Sequence, residues 1–383
     1  MASAILSQFN APSIDGQAVK RVLAPVIMEN IVQDIILRDG YGVTEKFSTD
    51  TDAFEIRVVR QQALDLDARK FGATFNGGFF NNLTEIQPTS QEYGIRLDHI
   101  IDRNVDIPSN MQDMFPLDVV GATTQRVGQA VARNVNASTM AEQLRVALTY
   151  NAAVELDADY TFGDKTYTYD AALDTPTIVK HETGVSNWQS TYLTASAKLD
   201  NGDERHGVDI YPVDMRVAVW RPEIRAELLK TGQVIIGGSN FAQQMIAAGK
   251  VSPDGRPREN MGGYFGDIDA TPQHIASKPL WNLAEKYLQL SAGDLDDVYG
   301  MIVSSLGTGR ALAFNNTIKT IDSPNGQGMR IQPKYRWGVE TWFPKSVILI
   351  VEDGFVNPAI GGTQQEPAVV PLTILQPQSV DPS

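Results

Sequence analysis

The stretch FPLDVVGATTQRVGQAVARNVNASTMAEQLRVALTY, residues 115–150, decides how the rest of the chain is read. Asp113 stands where it can cap a helix, and Pro116 suits the first turn, where its missing N–H costs nothing. Leu117, Val120, Val127, Val131 and Val135 then recur on one face, and after a slip in phase Met140, Leu144 and Leu148 continue it. Gln125, Arg126, Arg133, Asn134 and Glu142 fall on the other side. The spacing predicts an amphipathic helix, with a kink where the phase slips near Asn136 and Ser138. At 1.5 Å per residue that helix is on the order of 50 Å long. One compact domain cannot cover both ends of such a rod. The helix is therefore expected to act as a spine on which the flanking segments hang.

The totals narrow the function classes. With 383 residues, 42% of them hydrophobic and 20% charged, the chain is globular and long enough for a large core. It has no cysteine, so disulfides, thiolate metal sites and a cysteine nucleophile are excluded. The net charge is −14 and no long Lys/Arg run occurs, the opposite of a protein that grips nucleic acid through phosphates. No run of 18 or more apolar residues exists, and the first 18 residues lack a basic start followed by an apolar core. The expectation is a soluble protein made in the cytoplasm, with no membrane partner.

Around the spine, the pattern predicts an α+β chain. Residues 1–20 are polar, punctuated by Pro12 and Gly16, with Leu6, Phe9 and Ile14 among the few apolar points; they read as an extended arm lying on another surface. A second helical pattern covers 22–38 and ends at Gly40. Residues 54–61 and 92–108 alternate as strands. Between them lies a long loop containing Lys70, Phe71, Phe75, Phe79 and Phe80. Loops that long are usually functional or packed on a partner, and a two-stranded ribbon has no core of its own. Either the ribbon docks on a neighbouring subunit or it folds back on its own domain.

After the spine, 160–169 reads as short strands, and Ser186-Asn187-Trp188-Gln189 has capping-box form before a helix stopped at Asn201-Gly202. A buried-type strand at 215–220 precedes a helix opened by Pro222. Strand-like residues 234–236, a short helix at 241–248, a strand at 298–304 and a short element at 310–315 follow. Residues 329–343 alternate, break at Pro344, and resume as the apolar run Val347-Ile348-Leu349-Ile350-Val351. The tail from 353 to 383 has five prolines and no Lys or Arg; its residues 368–375 could add a strand to another sheet edge.

Catalytic signatures are missing. His99, His181, His206 and His274 are dispersed, without metal-ligand spacing, and read as surface or strand residues. Gly307-Thr308-Gly309-Arg310 reads as a turn and not a phosphate loop. The carboxylates Glu155, Asp157 and Asp159, and Asp294, Asp296 and Asp297, lack the pattern of a calcium loop. Asp200-Asn201-Gly202-Asp203 reads as a helix stop. No catalytic, cofactor-binding or metal-ligating residue is assigned.

The order of parts resembles the major capsid proteins of tailed double-stranded DNA phages, the Hong Kong 97-like fold that encapsulin shells also use. Four segments carry the likeness: 54–108, similar to that family's extended E-loop; 115–150, similar to its spine helix; Met215-Arg-Val-Ala-Val-Trp-Arg-Pro-Glu-Ile-Arg-Ala-Glu-Leu-Leu-Lys230; and Arg336-Trp-Gly-Val-Glu-Thr-Trp-Phe-Pro-Lys-Ser-Val-Ile-Leu-Ile-Val351. The resemblance implies an N-terminal arm and short helix over 1–50, an E-loop over 51–108, and a peripheral domain with the spine helix over 109–174. An axial domain then covers 175–320, a peripheral strand 321–345, and the final axial strand and tail 346–383.

It also implies self-assembly through hexamers and pentamers into an icosahedral virion shell, built in the host cytoplasm. That shell encloses double-stranded DNA without specific binding, with scaffolding, portal and decoration proteins as further partners. Because Met1 starts directly on the arm, a separate scaffolding protein is expected. Lys70, Phe71, Phe75, Phe79 and Phe80 of the loop, and Leu6, Phe9 and Ile14 of the arm, become the expected inter-subunit contacts. Some members cross-link a loop lysine to a neighbour's asparagine; Lys70 lies in the matching loop, but no motif places its partners. Two alternatives stand beside this reading: an encapsulin-type shell around cargo, and an acidic hydrolase using a carboxylate pair such as Asp294 and Asp297.

Overall fold

The computed structural model describes residues 37–40, 42–48, 55–61, 90–101, 105–108, 119–162, 165–182, 188–230, 274–323, 326–358 and 360. The arm, most of the 22–38 helix, the loop between the ribbon strands, Asp113, Pro116, residues 183–187, 231–273 and the tail beyond 360 lie outside the described residues. No helix among the described residues is long and apolar enough to cross a membrane.

Two sheets and one long helix make the frame. The first sheet holds β1 (Arg38–Asp39), β2 (Gly42–Ser48), β5 (His99–Ile101), β6 (Val105–Pro108), β13 (Thr308–Ser323) and β14 (Gly326–Thr341). Its order is β1-β2-β13-β14-β5, with β6 on the same strand β14 further along. The strands β13 and β14 are 16 residues each and pair antiparallel from Thr308↔Thr341 to Ser323↔Gly326. The second sheet has the order β11-β10-β12-β15-β9, made of β9 (Ile178–His181), β10 (Arg216–Trp220), β11 (His274–Ala276), β12 (Val298–Ser304) and β15 (Val347–Glu352). Two antiparallel ribbons complete the strands: β3 (Glu55–Gln61) with β4 (Ser90–Arg96), and β7 (Tyr160–Phe162) with β8 (Lys165–Tyr167).

Helix α1 spans Val119–Glu155, 37 residues, which is about 55 Å. It extends five residues past the expected end and runs without a break through Asn136 and Ser138. The phase slip has another cause. Before it, Val131, Ala132 and Val135 pack on Leu312, Tyr335 and Trp337 of the first sheet. After it, Met140, Ala141, Leu144 and Leu148 pack on Val217, Met301, Val347 and Leu349 of the second. The helix passes from one sheet to the other, so its buried face turns. At the handover its polar side chains are buried too: Ser138 and Thr139 donate to the Val135 carbonyl, and Trp337 Nε1 donates to Ser138 Oγ at 2.8 Å. Simple amphipathicity therefore describes only the first half of this helix.

The second sheet is covered on both faces, which explains its unbroken apolar runs. Helix α2 (Trp188–Asp200) lies on one face, where Trp188, Ala195 and Leu199 meet Ala218, Trp220, Ile302, Ile348 and Ile350. On the other face, α1 is joined by α4 (Lys278–Tyr287), whose Leu280, Trp281 and Ala284 enter the same core. Helix α3 (Pro222–Lys230) follows β10 as Pro222 predicts. Helix α4 was not legible as an element, although Ser277 at the N-cap, Pro279 in the first turn and Leu280, Trp281 and Ala284 at helical spacing carry its signal.

Three further readings are corrected. The helix expected to reach Arg38 does not: Arg38 and Asp39 pair parallel with Gly42 and Val43, through a turn in which Gly40 N donates to the Val43 carbonyl. The strand expected over 92–108 divides into β4, β5 and β6, because after Arg96 the chain leaves the ribbon and pairs along the edge of β14. Thr308, Gly309 and Arg310 are strand, not turn; the turn lies just before them, and the short 310–315 element is the start of the long β13.

Candidate assembly surface

Lys70, Phe71, Phe75, Phe79 and Phe80, and Leu6, Phe9 and Ile14, all lie outside the described residues. What is described is the seat from which the ribbon leaves. Strands β3 and β4 pair from Glu55↔Arg96 to Gln61↔Ser90, so the ribbon is as regular as its alternation predicts. Its base is held by Ile95 and Leu97, both buried against Ala311 and Ala313 on the face of the first sheet opposite α1. Small residues make this possible. At Gly338 an added Cβ would lie 1.7 Å from the Arg96 carbonyl oxygen, so β4 crosses the sheet in direct backbone contact.

A buried polar frame locks the neighbouring segment at Leu37 and β2. Arg310 on β13 is fully buried; its guanidinium donates to the Leu37 carbonyl at 2.7 Å and to Thr139 Oγ1 of α1 at 3.4 Å. It also pairs with Glu45 of β2 at 3.1 Å. Burial pulls the guanidinium pKa down and the Glu45 carboxyl pKa up, each opposed by the partner's charge. Gln143 of α1 donates to the Gly42 carbonyl at 2.9 Å. Four polar contacts thus join β2, β13, α1 and Leu37, just ahead of β1. Sequence reading placed Arg310 in a turn and missed this group, since its partners are 171 to 273 residues away.

At the far end of α1 a second cluster fastens the β7–β8 ribbon. Tyr150 donates to Asp174 Oδ1 at 3.0 Å, Arg205 pairs with Asp174 at 3.1 Å, and Arg205 donates to the Tyr160 hydroxyl at 3.2 Å. Burial pushes the Tyr160 phenol up to about 12 and raises Tyr150 further, with the Asp174 charge adding to the latter. Both therefore stay protonated: Tyr150 donates to Asp174, and the Tyr160 oxygen accepts from Arg205. The cluster is a fastening, with its oxygens and guanidinium already engaged.

His99, His181 and His274 lie on strands, as expected, and His99, His181 and His206 pack against neighbouring side chains. His181 stacks on Trp188 with ring centroids 3.7 Å apart and bonds Thr191 through Nδ1 at 2.7 Å. His206 bonds Asp203 at 2.8 Å. His99 stacks on Trp337 and meets Tyr287 edge-on. Burial lowers the His99 pKa, against the opposing charges of Asp98 and Glu142. A histidine depressed in the fold stabilises above its unfolded value and loses that contribution as pH falls through the folded value. Lowering the pH from 7 to 5 is thus expected to destabilise the native chain more than a His99→Gln variant, read as the difference in denaturant midpoint.

The carboxylates of the hydrolase alternative do not form an enclosed site. Asp294, Asp296 and Asp297 are exposed on one turn; Asp294 accepts from Ser291 N at 2.9 Å and Asp296 pairs with Arg221 at 3.0 Å. Asp200 pairs with Arg216, in keeping with a helix stop, and Gly202 takes the left-handed φ of +67° that ends α2. Among the described residues no group of three or more His, Cys, Asp or Glu side chains could hold a metal ion.

No protein-family model matches the chain, and no curated protein matches it in sequence. Solved structures with a similar course of the chain are capsids and a virus-like particle. The mature capsid asymmetric unit of bacteriophage PhiM1 is 9% identical, over 82% of this chain and 86% of that one, with a TM-score of 0.47. The capsid of Ralstonia phage GP4 is 13% identical, over 84% and 90%, with a TM-score of 0.47. A virus-like particle from Pyrococcus furiosus is 8% identical, over 85% and 96%, with a TM-score of 0.40.

Proposed function

We propose that this chain is a shell-forming major capsid protein of a tailed double-stranded DNA phage, with a Hong Kong 97-like fold. The observation that carries the reading is the ribbon β3–β4, seated by Ile95 and Leu97 and leading into a loop of aromatic residues. A two-stranded ribbon is not stable by itself in water, and a neighbouring copy is the surface on which it would rest. In this reading β3–β4 is the base of the E-loop, α1 is the spine helix and the second sheet is the core of the axial domain. Subunits join as hexamers and pentamers. Lys70, Phe71, Phe75, Phe79 and Phe80 then reach one neighbour, and Leu6, Phe9 and Ile14 another. Each contact can be weak because many act together in a closed shell. The chain's role is structural, its home is the virion, and scaffolding, portal and decoration proteins are its further partners.

The test is negative-stain electron microscopy of the purified chain, with and without the products of neighbouring genes. Closed shells or hexamer and pentamer arrays are the expected result. A compact monomer under every condition would overturn the reading. Shells packed with a protein cargo instead of DNA would move it to the encapsulin alternative.

A further inference from the structure

The first half of α1 carries an exposed surface without acidic residues on an acidic chain. Residues 119–141 contain no Asp or Glu, although the chain as a whole has a net charge of −14. Ala122, Gln125, Arg126, Gln129, Ala130 and Arg133 are all exposed. They follow one another at helical spacings of three and four, so they form a single stripe about 16 Å long. The opposite side of the same helix, at Val131 and Val135, is packed on the first sheet.

The arginines of the stripe also differ from their peers. Arg145, Arg205, Arg216, Arg221 and Arg310 each hold a carboxylate. Arg126 and Arg133 hold none among the described residues. Among the described residues, two guanidiniums without a carboxylate partner stand about 10 Å apart along the helix axis, with glutamine donors beside them and alanines that let a partner approach.

We propose that this stripe is a sequence-independent docking surface for the sugar–phosphate backbone of double-stranded DNA. The inference rests on the shell reading above, to which it adds the face that meets the packaged genome. Charge complementarity selects the occupant. A duplex presents one phosphate per roughly 1.7 Å of axis, so Arg126 and Arg133 can each take a phosphate at the same time. Gln125 and Gln129 can donate to phosphate oxygens between them. No base edge is read, since a flat stripe on a packed helix does not enter a groove. With only two charges per subunit the contact is weak and strongly salt-dependent. The acidic remainder of the chain repels DNA, which leaves the genome held lightly and free to move.

The full-length chain is mixed before assembly with a fluorescent duplex of about 20 base pairs, and anisotropy is followed between about 50 and 200 mM salt. Arg126→Gln with Arg133→Gln is expected to weaken binding about ten-fold at the low-salt end and to make the slope of log K against log salt shallower by about two. Arg126→Lys with Arg133→Lys should retain binding. Lys46→Gln with Lys180→Gln, the same charge loss at two exposed lysines elsewhere, should leave it unchanged. Equal binding by the Arg→Gln variant, an equal loss in the lysine variant, or capture of a peptide of residues 361–383 in place of the duplex would overturn the proposal. Electron microscopy of the same samples separates the two readings. Absence of shells with arginine-dependent DNA binding removes the capsid reading alone, whereas shells with arginine-independent binding remove this one alone.

Discussion

Replacing Arg310 by Met is expected to destabilise the fold by about 3–5 kcal/mol, the usual result of removing one partner from a buried ion pair. Met keeps much of the side-chain volume, so the loss is electrostatic and not a cavity. Glu45, whose side chain is only 7% exposed, would be left with a charge and no counter-ion, and the Leu37 carbonyl would lose its donor. Two controls isolate this cause. Adding Glu45→Leu to Arg310→Met should recover most of the loss, since exchanging a whole buried pair for apolar groups is often near neutral.

The pH dependence gives the second control. The folded Glu45 carboxyl already lies above its ordinary value because burial outweighs Arg310. A raised carboxyl contributes stability below its unfolded value and loses it as pH rises through the folded value. Without Arg310 the rise is larger, so the single variant should gain stability between pH 7 and pH 5 relative to the native chain. The double variant, lacking the carboxyl, should not. Urea midpoints at the two pH values read both effects. Limited proteolysis should show earlier cleavage near Gly40 in the single variant, because the Leu37 anchor is gone. A loss below about 1 kcal/mol for Arg310→Met, or no recovery in the double variant, would show that the pair does not hold β2 and Leu37 in place.

Changing Gly338 to Ala is expected to cost about 1–3 kcal/mol or more through overpacking, and to unseat the ribbon. The obstacle is backbone: the new Cβ would sit 1.7 Å from the Arg96 carbonyl oxygen and 2.6 Å from its carbon. No rotamer change relieves that contact, so β4 must lift off the sheet, carrying Ile95 out of the core. Gly309→Ala is the internal comparison. Its Cβ would meet the end of the Trp342 ring at 2.4 Å and Ile95 Cδ1 at 2.9 Å, side-chain atoms that can shift, so its cost should be smaller. Hydrogen exchange over 90–96 reads the local effect. Under the capsid reading, Gly338→Ala should also abolish closed shells while leaving the second sheet protected from exchange. Protection of 90–96 equal to the native chain would mean that the ribbon does not depend on this crossing.

What could be read from the residues alone depended on how local the cause was. The existence and phase of α1 follow from near neighbours along the chain, as do the alternation of β3 and the doubly buried run Val347-Ile348-Leu349-Ile350-Val351. Each was legible for that reason. Helix α2 and its stop at Gly202 were legible as well, since a left-handed turn favours glycine. The apolar run of β15 even implied burial on both faces, because alternation would otherwise have been required.

The tertiary structure decided what distance in sequence conceals. It shows that the phase slip in α1 is a change of partner from one sheet to the other, and that the strand expected over 92–108 divides to pair along β14. It also turns a supposed turn glycine and arginine, Gly309 and Arg310, into part of an interior strand that carries a buried charge. Arg310 could not have been assigned a role beforehand, since Glu45, Leu37 and Thr139 come together only when β2, β13 and α1 have packed. A hydrophobic period records which side of an element is buried. It does not record against what, and a buried ion pair leaves no period at all.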